Sequence, residues 1–270
     1  MIFHPKHSNL LQFQSFNQFE SSLCHFSTTI KGGVSQGNYS SLNMSIYSGD
    51  DIKCVAENRD RLTRMLDIDD DNLLVPYQTH EDKILVIDEK FLSKSDLEQA
   101  QMLHGVDSII TNQKYICIGI TTADCVPILV FDVANKVFAC VHAGWRGTLA
   151  KLPEKTIFEM QKQWNCKSQN LIVGIGPFIS QKHFEIGEEV VEAFSNAGFI
   201  LDEIMSFNES SKKNHLDLGL ANRQSFIDAG ILDKNIEISN YCTYKNHELF
   251  FSARRQGLKS GRMLTGGFTI

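Results

Sequence analysis

Five short stretches of the chain are apolar almost without interruption: ILVID at 84–88, ICIGI at 116–120, VPILVFD at 126–132, VFACVHA at 137–143 and LIVGIG at 171–176. Runs of this length, rich in β-branched residues and lacking polar alternation, predict strands covered on both faces. Elsewhere the period changes. In DIKCVAENRDRLTRML, at 51–66, Ile52, Val55, Leu62 and Met65 fall roughly on one face of a helix. Residues 153–164 open with Pro153, which suits the first turn of a helix because the amide there has no intrahelical partner. Segments 188–196 and 217–229 also read as helices, each closed by a glycine, Gly198 and Gly230, able to take the left-handed cap. These elements together predict an α+β fold in α/β/α layers, one mixed sheet sandwiched by helices. No repeat, low-complexity tract or Pro/Gly/Ser linker divides the 270 residues, so the chain reads as a single domain, 1–270.

The third and fourth apolar runs form a hairpin whose register can be worked out. If its turn centres on Ala134 and Asn135, paired residues sum to 269, so Cys125 faces Gly144 and His142 lies one diagonal step away on the same side. Diagonal neighbours sit about 7–8 Å apart, within reach of two side chains that share a metal or a hydrogen bond. Taken singly, Cys125 reads as core packing and His142 as a satisfied polar residue. Their neighbours point to a site: Asp124 precedes Cys125, and HAGWRGT places two glycines around Trp145 and Arg146, letting backbone approach a ligand beside a cation. His80, in VPYQTHEDKILVID just before a strand, is a third candidate ligand. One Cys and two His would make a zinc site with three protein ligands and a fourth position open, as catalytic rather than structural zinc requires.

Composition narrows the class. A net charge of -6 and the absence of a Lys/Arg cluster argue against a nucleic-acid partner. There is no basic region followed by an apolar run at the N-terminus and no stretch of eighteen apolar residues, so no membrane segment is expected and a cytoplasmic protein is. The seven cysteines are scattered, with no C-x-x-C pair, and read as reduced thiols. Nothing in the sequence fixes an oligomeric state.

Several motifs, in order along nearly the whole chain, resemble the laccase-domain or YfiH-like family, also labelled multicopper polyphenol oxidase. They are FSTTIKGGVSQGNYSSLNM, ENR, QTH, VDSIIT, TTADCVPIL, VHAGWRGT, GIGPFIS with FEIGEEV, LDLGLANRQ and FFSARRQGLKSGRM. The resemblance implies metal ligation by His80, Cys125 and His142. The chain departs from the family pattern at Ile30-Lys31, where an arginine commonly precedes the Gly-Gly pair, and at Phe178, where a cysteine often follows Gly-Pro.

What the resemblance implies is a zinc-dependent purine nucleoside enzyme, with purine nucleosides and phosphate as its small-molecule partners. Its expected reactions are phosphorolysis of adenosine, inosine, guanosine and methylthioadenosine, and deamination of adenosine; the two stand unranked. Deamination calls for an acid-base group, for which Asp124 and Glu81 are the available carboxylates. Phosphorolysis calls for cations, for which Arg59, Arg146, Arg254 and Arg255 are candidates. Adjacent arginines on a strand point opposite ways, so at most one of Arg254 and Arg255 is expected to face the site, with Arg255 named. Asn43, Arg59 and Arg255 are the expected substrate contacts, and Cys125, His142, His80, Asp124 and Arg146 the catalytic group. Copper can occupy such a site in vitro because the affinity order favours it. Laccase chemistry is disfavoured, since the chain has nine histidines in all and no His-x-His pair. The alternative from another class is a metal-independent cysteine hydrolase, such as an amidase editing a peptidoglycan precursor, using Cys125 as thiolate and His142 as base.

Overall fold

The computed structural model describes all 270 residues, and its strands fall into two six-stranded mixed sheets and one small sheet. The first sheet runs Ile236–Ile238, Leu171–Ile175, Val126–Asp132, Val137–Ala143, Ser108–Thr111 and Ile84–Ile87. The second runs Ile2–Phe3, Leu10–Gln12, Leu23–Thr28, Met263–Thr269, Cys117–Thr122 and Leu73–Leu74. The fold is therefore mixed α+β, as expected, with all five apolar runs forming strands close to the bounds read from the sequence.

The continuous apolar runs have a direct explanation in the two faces of the first sheet. Val126, Ile128 and Val130 point into a cluster with Ile157 and Met160 of the helix Leu152–Trp164 and with Phe226 of the helix Leu218–Asp228. The alternate positions Leu129 and Phe131, with Phe138 and Cys140, pack instead against Ile118 and Ile120 of the second sheet. Each such side chain, buried completely, contributes about 1.5–3 kcal/mol. One cover of the first sheet is thus helical and the other is the second sheet, whose outermost strands are only two residues long. Strands that short leave no periodic trace in sequence.

The helix Ile52–Leu66 is capped by Asp51, whose side chain accepts from the Lys53 amide. Val55 and Leu62 are buried as the pattern requires, but Ile52 is 65% exposed because it occupies the first helical position, before the helix meets the core. Asn58 of the same helix is fully buried. Its side chain donates to Ser35 Oγ and to the Ser41 and Asn43 carbonyls and accepts from the Val34 amide, which pins the 34–43 loop. The turn residues after the 188–196 and 218–228 helices, Gly198 and Gly230, take φ of +83° and +81°, the left-handed caps anticipated. No helix is long and apolar enough to cross a membrane.

Candidate metal centre

The hairpin has the expected register: Val126 pairs with Ala143 and Pro127 with His142, so paired numbers sum to 269. Cys125 and His142 therefore share the face that looks toward the second sheet. His80 arrives from a loop rather than a strand. The donor atoms of His80, Cys125 and His142 all lie within 4.8 Å of one another, and the two imidazoles meet edge to face at 4.8 Å between centroids.

Each candidate ligand is held by identifiable neighbours. His80 sits at φ +65°, a left-handed conformation that a non-glycine residue adopts only when its surroundings compensate. The compensation is Asp107, which is fully buried and accepts from three successive amides, Thr79 at 3.2 Å, His80 at 3.1 Å and Glu81 at 3.0 Å. The same carboxylate takes His142 Nδ1 at 2.7 Å, while the Asp107 carbonyl accepts the His142 amide at 2.8 Å. One buried acid thus orients both histidines and leaves Nε2 of His142 as the nitrogen available to a metal. Gln78 locks the loop to the strand Cys117–Thr122, accepting from the Thr121 amide at 2.8 Å and donating to its carbonyl at 2.9 Å.

Cys125 follows Asp124, which takes φ +88° at the corner between the two sheets. Both Asp124 oxygens are engaged: Oδ1 accepts from Thr243 Oγ1 at 2.6 Å and Oδ2 from the Arg254 amide at 2.7 Å. On the other side, Gly144 leaves room for the donors, since a Cβ there would lie 3.0 Å from Cys125 Sγ and 3.4 Å from the His80 ring, tight enough to press on both. Beyond it the turn containing Gly147 and Thr148 is fixed by Asn222, whose side chain donates to Thr148 Oγ1 at 2.9 Å.

Charge in the cradle is redistributed. Burial pushes the Cys125 thiol up, but His142 and His80 outweigh it and bring it well below its usual value. Burial acts to lower His142, yet the Cys125 sulfur and Asp107 together raise it. Asp107 would be raised by burial; the contacts from His142, Glu81 and Thr79 hold it below the usual carboxylate range instead. A depressed thiol beside two imidazoles is a donor set able to hold a metal ion.

The cradle opens into a cavity of about 480 Å³ lined by all three donors and by Asp124. Tyr47, Tyr77, Phe184, Leu258, Arg254 and Arg262 form its walls. The other sequence candidates lie outside it. Arg146 is exposed, its guanidinium folded over its own neighbour Trp145 at 4.3 Å. Asn43 is buried as a loop organiser, donating to Ser48 Oγ and Asp50 and accepting from the Ser45 and Arg262 amides. Arg59 is not among the lining residues; its Nε donates to the Met44 carbonyl. Arg255 stacks on Tyr244 and donates to the Tyr244 carbonyl, while Arg254 takes the place in the cavity wall. The choice between them turns on local structure: residues 253–256 form a helical turn, not a strand, so the alternation rule used for the pair does not apply.

Asp107 and Arg262 were not singled out from the sequence. Asp107 stands in VDSIIT, and its signal is an acid placed immediately before a buried apolar strand, where only strong pairing makes it tolerable. Phe178, the departure from the family pattern, packs on Gly219, where a Cβ would lie 2.3 Å from its ring.

A family model described as multi-copper polyphenol oxidoreductase laccase matches residues 24–267. Among curated relatives, a purine nucleoside phosphorylase of Bacteroides thetaiotaomicron is 42% identical over 266 residues, 98% of each chain. Adenosine deaminase RL5, from an unknown prokaryotic organism, is 43% identical over 242 residues, 89% of this chain and 92% of its own. Among solved structures, YlmD from Geobacillus stearothermophilus superposes with a TM-score of 0.89 at 28% identity, covering 99% of this chain and 98% of that one.

Proposed function

The chain belongs to the multi-copper polyphenol oxidoreductase laccase family, and from that premise we propose that it is a zinc-dependent purine nucleoside enzyme working at His80, Cys125 and His142. The observation that carries this reading is the three-donor cradle at the floor of a cavity whose walls include Tyr47 and Tyr77, flat faces suited to a purine ring. Names borne by relatives over nearly the full chain, a purine nucleoside phosphorylase and an adenosine deaminase, support both reactions. Adenosine, inosine, guanosine and methylthioadenosine are the proposed substrates, with phosphate as co-substrate. Seven unpaired cysteines support a reducing, cytoplasmic setting.

The donor set fits the ion. One thiolate-prone sulfur and two imidazoles are zinc ligands, and an exposed His80 leaves the cradle open toward the cavity, as a catalytic site requires. Zinc held there would supply Lewis acidity and activate a water. The protein's own contribution is orientation. Asp107 keeps the proton of His142 on Nδ1, and Asp124, with both oxygens occupied, fixes the Arg254 backbone and the corner that presents Cys125. The single cluster of three metal-capable donors argues against a multicopper oxidase.

A second reading has one observation in its favour. Cys125, His142 and Asp107 form a thiol, imidazole and carboxylate relay, the arrangement of a metal-independent cysteine hydrolase or peptidoglycan-precursor amidase. Product analysis of adenosine incubated with purified protein, with and without phosphate, separates the two. Adenine with ribose 1-phosphate, or inosine, both lost in Cys125→Ala, is the expected result; no product from zinc-loaded wild type would leave the hydrolase.

A further inference from the structure

We propose that Arg254 and Arg262, with the Thr122 hydroxyl, form the subsite that holds inorganic phosphate beside the metal cradle; this rests on the purine nucleoside reading above. All three residues line the same cavity as His80, Cys125 and His142. Neither arginine is ion-paired; both are anchored by neutral main-chain oxygens. Arg262 Nη1 donates to the Ser260 and Gly261 carbonyls and Nη2 to the Leu258 carbonyl, which leaves Nε–H and one Nη2 hydrogen without a protein acceptor. Arg254 Nη2 donates to the Glu185 carbonyl, and its guanidinium lies over the Phe184 ring at 5.4 Å. The only carboxylate in the cavity lining, Asp124, accepts from the Thr243 hydroxyl and the Arg254 amide and forms no ion pair with either guanidinium, so the lining carries one carboxylate against two cations.

Thr122 provides an independent sign of a ligand. The residue is 2% exposed, it lines the cavity, and its Oγ1 has no hydrogen-bond partner in the protein. A buried hydroxyl without a partner is costly, and a tetrahedral oxyanion held in the cavity that both guanidinium groups line would satisfy it. Two planar cations lining one pocket match phosphate chemistry better than they match a neutral nucleoside. In the reaction this subsite would serve, a phosphate oxygen forms a bond to the ribosyl C1′ while the C1′–N9 bond breaks. The electron pair leaves with the purine, and the proton of hydrogenphosphate ends on the purine nitrogen.

The experiment is steady-state turnover of adenosine by zinc-loaded Arg254→Gln over a range of phosphate, scoring adenine and inosine together. Arg254 is the first choice because its side chain is exposed at the cavity mouth, and Arg262→Gln follows. The expected result is a KM for phosphate raised about tenfold or more, with a comparable fall in the adenine-to-inosine ratio. A merely structural role would lower both products together and leave that ratio unmoved, which overturns the assignment. Calorimetric titration of inorganic phosphate into both proteins is independent of the purine chemistry. Weaker binding in Arg254→Gln supports the subsite even if adenosine is not a substrate. Equal binding, or none in wild type, refutes it.

Discussion

Replacing Asp107 by Asn tests whether one buried acid organises the centre. Oδ1 accepts from His142 Nδ1 at 2.7 Å and from the His80 amide at 3.1 Å; Oδ2 accepts from the Thr79 and Glu81 amides at 3.2 and 3.0 Å. Asparagine keeps one oxygen, so whichever way its amide turns, an NH2 group confronts two N–H donors. Two buried donors without acceptors cost about 1–3 kcal/mol each, a loss of roughly 2–6 kcal/mol before relaxation. The imidazole also loses the carboxylate that sets its tautomer, for which a 10–100-fold weaker metal affinity, about 1.4–2.7 kcal/mol, is the expected scale. Zinc competition against a chromophoric chelator reads the second effect, and guanidinium denaturation of the zinc-free protein reads the first. An Asp107→Asn protein with wild-type stability and zinc affinity within about twofold of wild type would refute the reasoning.

Gly144→Ala places a Cβ 3.0 Å from Cys125 Sγ and should lower zinc occupancy, measured by elemental analysis, without the large stability loss expected at Asp107. Asp124→Asn removes a charged acceptor from the Thr243 hydroxyl and the Arg254 amide, and should raise KM for phosphate more than it lowers zinc content. His25 is buried beside Phe13 and Phe16, and burial lowers its pKa to about 4, with its Nε2 accepting the Phe13 amide at 2.9 Å. The unfolded chain, with an ordinary histidine pKa near 6.5, binds the proton first, so stability is full above that value and falls as pH drops from 6.5 toward 4. The loss is roughly 3 kcal/mol, and a denaturation series at pH 7 and pH 4.5 on wild type and His25→Gln should show a steeper decline in wild type.

The parts of the site that were legible in the sequence are those fixed by local periodicity. The hairpin register follows from a turn position and a period of two, which alone put Cys125 and His142 on one face, and the pairing in the structure agrees. His80 came from its motif, since a loop residue carries no periodic signal. Asp107 and Arg262 were missed because their roles depend on contacts made across sheets: Asp107 meets a loop 26 to 28 residues away, and the Arg262 amide meets Asn43. The strand alternation that allows at most one of Arg254 and Arg255 to face the site does not hold where the chain makes a helical turn, and it is Arg254 that lines the cavity. Arg146 looked like a site cation from its place beside His142, but stacking on Trp145 takes its side chain to the surface. The second sheet escaped notice for a similar reason, since it joins segments from both ends of the chain, Leu23–Thr28 and Met263–Thr269, and only contact between them creates it.

The most direct test of the account is the rate of adenosine turnover measured against bound zinc per chain, in samples stripped by chelation and reloaded in steps. The account predicts activity proportional to occupancy, saturating at one ion per chain and absent in Cys125→Ala at any zinc level. Turnover that persists unchanged in metal-free protein would contradict it.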